Sequence, residues 1–544
     1  MKKTKFTFLL IFLSAYFTNA QTLNWVKSWG SPSTFANDLG YGVVVDGAGN
    51  VYSTGLYSGT IDFDPGAGTY TLSSNAGSTD IFISKLDAAG NFIWAVSMGG
   101  TGSGEAGYAI TLDPTGNVCV TGYYQGTPDF DPGAGTFTMT AAAQSDIFVL
   151  KLSAAGNFIW AKSFGGFTGD YGHGIKTDAS GNIYIAGGYQ GAYISKLDAS
   201  GNIVWAHTIS NTLARSLDLD ASGNVLVTGE FTGTIDFDPG AGTYTLTSGG
   251  MEDAFVLKLN SSGNFVWAKN LSGTDRSYGY CVTADVSGNV YSTGRFKAVT
   301  DFDPGAGTFT LTPTGQEDIY ISKLDASGNF VWAKKIGAGL PDFGYSIVAD
   351  ALGNIYLSGT FQGTADFDPG AGTFNLSSAG GMDLFICNLD AAGNFLWAGN
   401  MGSSTNDYCF GLTVDMSNNI YATGYFAGTC DFDPNSGTFN LISNGGVDAF
   451  VIKLNALGTS LSESNLNDHL ISVYPNPSSG EFTIRFKNNS DATVEVIDLL
   501  GQIVYSEKIV STNKQLNLNL TNGIYSIRIS ENGKTSTTKF IIQK

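Results

Sequence analysis

One tryptophan recurs along most of this chain, at Trp25, Trp94, Trp160, Trp205, Trp267, Trp332 and Trp397, with spacings of 69, 66, 45, 62, 65 and 65 residues. A fixed period of this size means stacked or radially arranged copies of one small unit. Each unit reads as four short β-runs, for example Tyr108–Leu112, Asn117–Gly122, Ile147–Leu152 and Phe158–Ala161, separated by turn signals of the form Asp-x-x-Gly-Asn. Four short strands per repeat is the signature of a β-propeller blade. The 45-residue unit has all four runs, yet between Gly191 and Ala192 it lacks about twenty residues that the other six carry. The additional residues are therefore an insertion between the second and third strands.

The first strand type occurs seven times, near Val44, Ile110, Ile175, Leu217, Val282, Ile347 and Leu412, and the second and third types also occur seven times. The tryptophan-bearing fourth type has seven copies too, but its first, at Trp25, precedes every other strand and none follows Leu454. The count predicts an all-β, seven-bladed propeller over residues 21–458, closed by its N-terminal strand completing the last blade, which leaves no exposed sheet edge. The pattern Gly-Asn-Val-Tyr-x-Thr-Gly, Asp-x-Phe-x-x-Lys-Leu-Asp, Gly-Asn-x-x-Trp-Ala resembles the SBBP-type β-propeller repeat over roughly residues 23–458. That resemblance implies a fold and no specific activity.

Residues 1–20 read as a secretory signal peptide: Lys2, Lys3 and Lys5 precede an apolar run from Phe6 to Phe17 that is too short to span a bilayer. A linker over 459–469 leads to residues 470–544, which alternate apolar and polar residues and read as a small β-sandwich. Here Val473-Tyr474-Pro475-Asn476-Pro477 with Gly480, Val496 to Gly501, Asn522 to Tyr525 and the final Lys539-Phe540-Ile541-Ile542 are similar to the type IX (Por) secretion system C-terminal sorting domain. The resemblance implies export across the outer membrane of a Gram-negative bacterium by the type IX machinery, with release or surface attachment. No transmembrane segment is expected in the mature chain.

A formal net charge of −20 and the absence of a Lys/Arg stripe exclude a phosphate backbone, and hence nucleic acid, as a partner. The five cysteines, Cys119, Cys281, Cys387, Cys409 and Cys430, have no recurring spacing and read as small buried apolar residues.

Six insertions open with Asp-Phe-Asp-Pro, placing carboxylates at Asp62 and Asp64, Asp129 and Asp131, Asp236 and Asp238, Asp301 and Asp303, Asp366 and Asp368, and Asp431 and Asp433. A further aspartate opens the third strand in the same six units, at Asp80, Asp146, Asp253, Asp318, Asp383 and Asp448, and is replaced by Gly191 in the short one. Clustered carboxylates beside Gly-rich backbone are hard oxygen ligands suited to calcium. Asp before Pro-Gly is equally turn chemistry, and the third aspartate equally a cap that closes the hairpin. Asp46 and its counterparts Asp113, Asp178, Asp220, Asp285, Asp350 and Asp415 occur in all seven units and read as residues of the first turn. Asp38, Glu105, Asp170, Asp275, Asp342 and Asp407 join the insertions on one face, which predicts an acidic, loop-rich surface.

Catalytic readings find little support. With only His173, His207 and His469 there is no repeated imidazole site, and a sialidase-like reading needs an arginine triad, for which the repeat region holds only Arg215, Arg276 and Arg295. The quinoprotein-like turn at Leu86 to Trp94 is one residue short. The expectation is a non-enzymatic protein with no certain cofactor that binds an extracellular glycan or protein. A polysaccharide-active enzyme and a structural matrix or surface-layer protein are the alternatives.

Overall fold

The computed structural model describes residues 21–456 apart from Phe35, Ala76, Ser103, Ala143, Phe167, Thr168, Tyr189 and Gln190, together with 471–474, 478, 481–497, 503–520, 523–531 and 534–542. The expected signal peptide, the linker, and Pro475 to Pro477 with Gly480 lie outside the described residues. The chain divides into two compact units, 1–457 and 458–544. Among the described residues there is no helix, so none is long and apolar enough to cross a membrane.

Among the described residues of the first unit, seven antiparallel sheets share a four-stranded order, one of them extended by Thr300–Asp301 and Thr310–Leu311, and two further two-stranded hairpins form within the insertions. In sheet one, Leu39–Val45, Val51–Tyr57, Asp80–Leu86 and Phe92–Met98 pair in sequence order. The hairpins that join first to second strands and, except in the last sheet, third to fourth strands close through the same five-residue turn. At Asp46 the carboxylate accepts the N–H groups of Ala48 and Asn50, both at 2.9 Å, and the side-chain amide of Asn50 at 2.8 Å. The turn then requires a left-handed residue, Gly49 at φ 82°. In sheet seven that place is taken by Asn418 at φ 61°, asparagine being a side chain that tolerates the conformation.

The second strands are buried on both faces, as in Val51–Tyr57, where every residue is buried, because neighbouring sheets pack over them. Most of the recurring Trp residues join one sheet to the next through the indole N–H: Trp94 donates to Ala154 O at 3.3 Å, Trp205 to Ser261 O at 3.2 Å, Trp267 to Ala326 O at 3.3 Å and Trp332 to Ala391 O at 3.4 Å, whereas the Trp160 indole N–H is buried without a partner. Leu23–Trp29 pairs with Asn440–Leu454 and so lies in sheet seven as its fourth strand. From there Trp25 Nε1 and Lys453 Nζ both donate to Ala88 O in sheet one, each at 3.2 Å. Four of the five cysteines are buried and all five are free thiols.

In the second unit Ile471–Tyr474, Glu481–Ile497, Ile503–Asn517, Gly523–Glu531 and Lys534–Ile542 form one five-stranded sheet, where a sandwich of two sheets was expected. Glu481–Ile497 is the reason: its first half pairs with Ile471–Tyr474 and its second with Gly523–Glu531, and local alternation cannot specify such a shared strand. Phe482, Ile484, Val494, Val496 and Ile527 form its core.

Candidate functional site

The insertions are anchored by their phenylalanine. Phe63, Phe130, Phe237, Phe302, Phe367 and Phe432 are fully buried, each edge-on to the last aromatic of the second strand; Phe63 lies 5.5 Å from Tyr57 and Phe237 5.1 Å from Phe231. The flanking carboxylates fold the loop. Asp62 accepts the N–H groups of Asp64 (3.1 Å) and Tyr70 (2.8 Å), and Asp64 that of Gly66 (2.8 Å). Asp129 with Asp131, Asp236 with Asp238, Asp301 with Asp303, Asp366 with Asp368 and Asp431 with Asp433 repeat these bonds within 0.1 Å.

The third aspartate of each set caps the far end of the hairpin. Asp80 accepts Asn75 N–H, Asp146 that of Ala142, Asp253 that of Gly249, Asp318 that of Thr314, Asp383 that of Ala379 and Asp448 that of Asn444, at 2.8–3.1 Å. Among the described residues no group of three His, Cys, Asp or Glu side chains is placed to hold a metal ion.

Of the six residues expected to join the insertions on an acidic face, Asp38, Glu105, Asp342 and Asp407 are buried, whereas Asp170 and Asp275 are partly exposed. Three of them tie two loops together by accepting backbone N–H groups: Asp38 from Ser31 (2.8 Å) and Ser58 (2.9 Å), Asp342 from Ala338 and Gln362, Asp407 from Ser403 and Ala427. Burial pushes the acids of this layer up, Asp38, Asp407 and Asp448 to about 6 and Asp342 and Asp383 to about 7.

The residues that sequence reasoning missed lie elsewhere. The pairing of first and second strands slips by one residue in every sheet, between Gly40 and Gly42, Gly107 and Ala109, Gly172 and Gly174, Ala214 and Ser216, Gly279 and Cys281, Gly344 and Ser346, and Cys409 and Gly411. A β-bulge of this kind re-aims one side chain. The seven re-aimed residues are Tyr41, Tyr108, His173, Arg215, Tyr280, Tyr345 and Phe410, all partly exposed, and all line one cavity of about 390 Å³.

They touch in sequence. Tyr41 lies 4.9 Å from Tyr108, Tyr108 stacks on His173 at 5.4 Å, the Arg215 guanidinium sits 5.2 Å over Tyr280, Tyr280 lies 5.4 Å from Tyr345, Tyr345 5.2 Å from Phe410, and Phe410 5.2 Å from Tyr41. The next residue of each strand is small: Gly42, Ala109, Gly174, Ser216, Cys281, Ser346 and Gly411. Large rings followed by small side chains leave the cavity open beneath the collar. The comparison that finds it is an alignment of the seven first strands, in which one bulky position stands between small ones.

Of the three arginines, Arg215 belongs to the collar and Arg295 stands beside it, 5.8 Å over the Tyr280 ring. Arg215 is held by Glu230 at 2.7 and 2.5 Å, Arg295 by Glu317 at 2.8 Å and Arg276 by Glu252 at 3.3 Å. Arg295 lies 4.6 Å over the Tyr278 ring, whose hydroxyl donates to Glu252 at 2.6 Å. Burial, then that hydrogen bond, pushes Tyr278 up to about 12, so it keeps its proton. Burial and the Arg215 charge push His173 down to about 3, leaving a neutral imidazole.

Residues 472–543 match the family model of the secretion system C-terminal sorting domain, and residues 331–362 that of the SBBP β-propeller repeat. The sorting domain marks the chain for type IX secretion, as a secreted or cell-surface protein of a Bacteroidetes-type bacterium. Over 478 residues the chain is 24% identical to the uncharacterized WD repeat-containing protein L264 of Acanthamoeba polyphaga mimivirus, which covers 69% of this chain and 34% of that one. Over 93 residues it is 33% identical to ulvan lyase NLR42 of Nonlabens ulvanivorans, 16% of this chain and 17% of that one. The chain thus spans about a third or less of the length of these relatives. Among solved structures, PorZ of Porphyromonas gingivalis, a surface component of the type IX secretion system, is 12% identical over 92% of this chain and 74% of that one, with a TM-score of 0.30. Sqt1 of Chaetomium thermophilum is 10% identical over 86% of this chain and 97% of that one, with a TM-score of 0.39. Scores this low do not establish a shared fold.

Proposed function

We propose that the chain is an exported binding protein whose seven sheets are the blades of one propeller, closed by the N-terminal strand, and whose collar receives an extracellular glycan or protein without catalysis. The observation that carries this reading is the collar itself: seven bulges, one per sheet, turn six rings and one guanidinium toward a single cavity. Closure is supported by the contact of Phe410 in sheet seven with Tyr41 in sheet one, and by the bonds from Trp25 and Lys453 to Ala88. The reading without catalysis is supported by each of Arg215, Arg276 and Arg295 being matched by a glutamate.

The test is binding of the mature chain, residues 21–544, to a panel of glycans and matrix proteins, with calcium and with chelator. Binding in both conditions is the expected outcome and directs mutation to the collar. Binding only with calcium would direct it to Asp62, Asp64 and their counterparts as metal ligands. Self-association with no binding would favour a structural matrix protein, and turnover of a bound polysaccharide the enzyme reading.

A further inference from the structure

We infer that the collar and the cavity beneath it form a site for an uncharged sugar ring at the end of a glycan chain. This rests on the binding function proposed above and names both its place and its ligand class. The volume, about 390 Å³, falls toward the lower end of small-molecule sites, which span about 300–1,000 Å³. First strands of all seven sheets wall it, so a polymer enters by its end and does not lie across it.

The charges select against ions. Arg215 and Arg295 are neutralised by Glu230 and Glu317, and Lys176, at the cavity wall, pairs with Asp218 at 3.1 Å. An anionic sugar would have to displace a carboxylate already in place, and a cation a guanidinium or ammonium. A wholly apolar ligand is disfavoured as well. Asp218 also accepts the Thr283 hydroxyl at 2.8 Å, and covering this polar wall with hydrocarbon removes its water without replacing the hydrogen bonds. A neutral sugar satisfies both layers, its C–H face against the tyrosine rings and its hydroxyls toward Lys176, Asp218 and the protein's own hydroxyls.

The experiment is calorimetric titration of the mature chain with glucose, galactose, mannose, N-acetylglucosamine and their disaccharides, with glucuronate and glucosamine as charged controls. At least one neutral sugar is expected to bind, with affinity changing by less than about twofold between roughly 50 and 500 mM salt. Tyr345→Ala should weaken it about tenfold or more. Should that variant fail to fold, Tyr345→His carries the test, because sheet three already accommodates His173 at this position. It should weaken binding about threefold, whereas Asp64→Ala, in an insertion, should leave it unchanged. Neutral-sugar binding that survives both Tyr345 variants overturns the site. Binding of only the charged sugars, or of a protein from the wider panel, overturns the ligand class while the binding function stands. Failure of every panel member to bind overturns both.

Discussion

At the scale of single residues, aspartate does two opposite electrostatic jobs here. In the turns it is solvated enough to stay ionised. Burial works against the charge of Asp46, but the Asn50 side chain and the N–H groups of Asn50 and Ala48 outweigh it and hold the carboxyl below its usual range; Asp178, Asp285 and Asp415 behave alike. At the loop ties the balance reverses, and burial raises Asp38, Asp407 and Asp448 to about 6 and Asp342 and Asp383 to about 7. The signs follow from linkage. A raised group binds its proton more tightly when folded, so its contribution is complete below the unfolded value near 3.8 and is lost as pH rises through 6 to 7. A lowered group contributes above 3.8 and loses that contribution as pH falls below it. Thermal unfolding at constant ionic strength should therefore give a maximum Tm between about pH 4 and 5, declining toward pH 8. A Tm higher at pH 8 than at pH 5 would show that these acids are hydrated in solution. The turn aspartates were legible in sequence because their donors lie within four residues. Asp38 was not, because one of its donors is Ser58, twenty residues away, and so it read as surface charge.

At the scale of elements, the four-strand unit was legible because turns of the form Asp-x-x-Gly-Asn mark each hairpin locally. The bulges were not, since a single added residue such as Tyr41 looks like one more member of a strand until the register with its partner is known. The N-terminal strand is the element whose position matters most. Trp29 is 2% exposed, donates to Phe63 O at 2.9 Å and lies 6.1 Å from the Phe63 ring, so it ties sheet seven to the insertion of sheet one. Trp29→Ala should lower the free energy of unfolding by about 3–5 kcal/mol in urea titration, as for other buried large-to-small changes. A loss under about 1 kcal/mol would mean that the two sheets do not rely on each other. Removing residues 21–30 should leave Asn440–Leu454 with an unpaired edge and produce aggregation by light scattering.

At the scale of the whole molecule, two units with different tasks share one chain, and their sequences are built differently. The repeat unit carries six copies of a phenylalanine-anchored insertion whose carboxylates fold their own loops. The C-terminal unit carries no repeat and matches a sorting domain over residues 472–543. If the first unit's stability lies in its own sheets and the second serves only as an address, truncation should separate export from folding. A chain ending at residue 458 should keep the thermal transition of the full protein to within about 2 °C, because every strand of the seven sheets lies before that residue. In a strain with an intact type IX system it should nevertheless remain in the periplasm, where cell fractionation with an antibody to the repeat unit would find it. Appearance of the truncated chain at the surface or in the medium would assign export to the repeat unit. Loss of the thermal transition would instead make the C-terminal unit part of the fold.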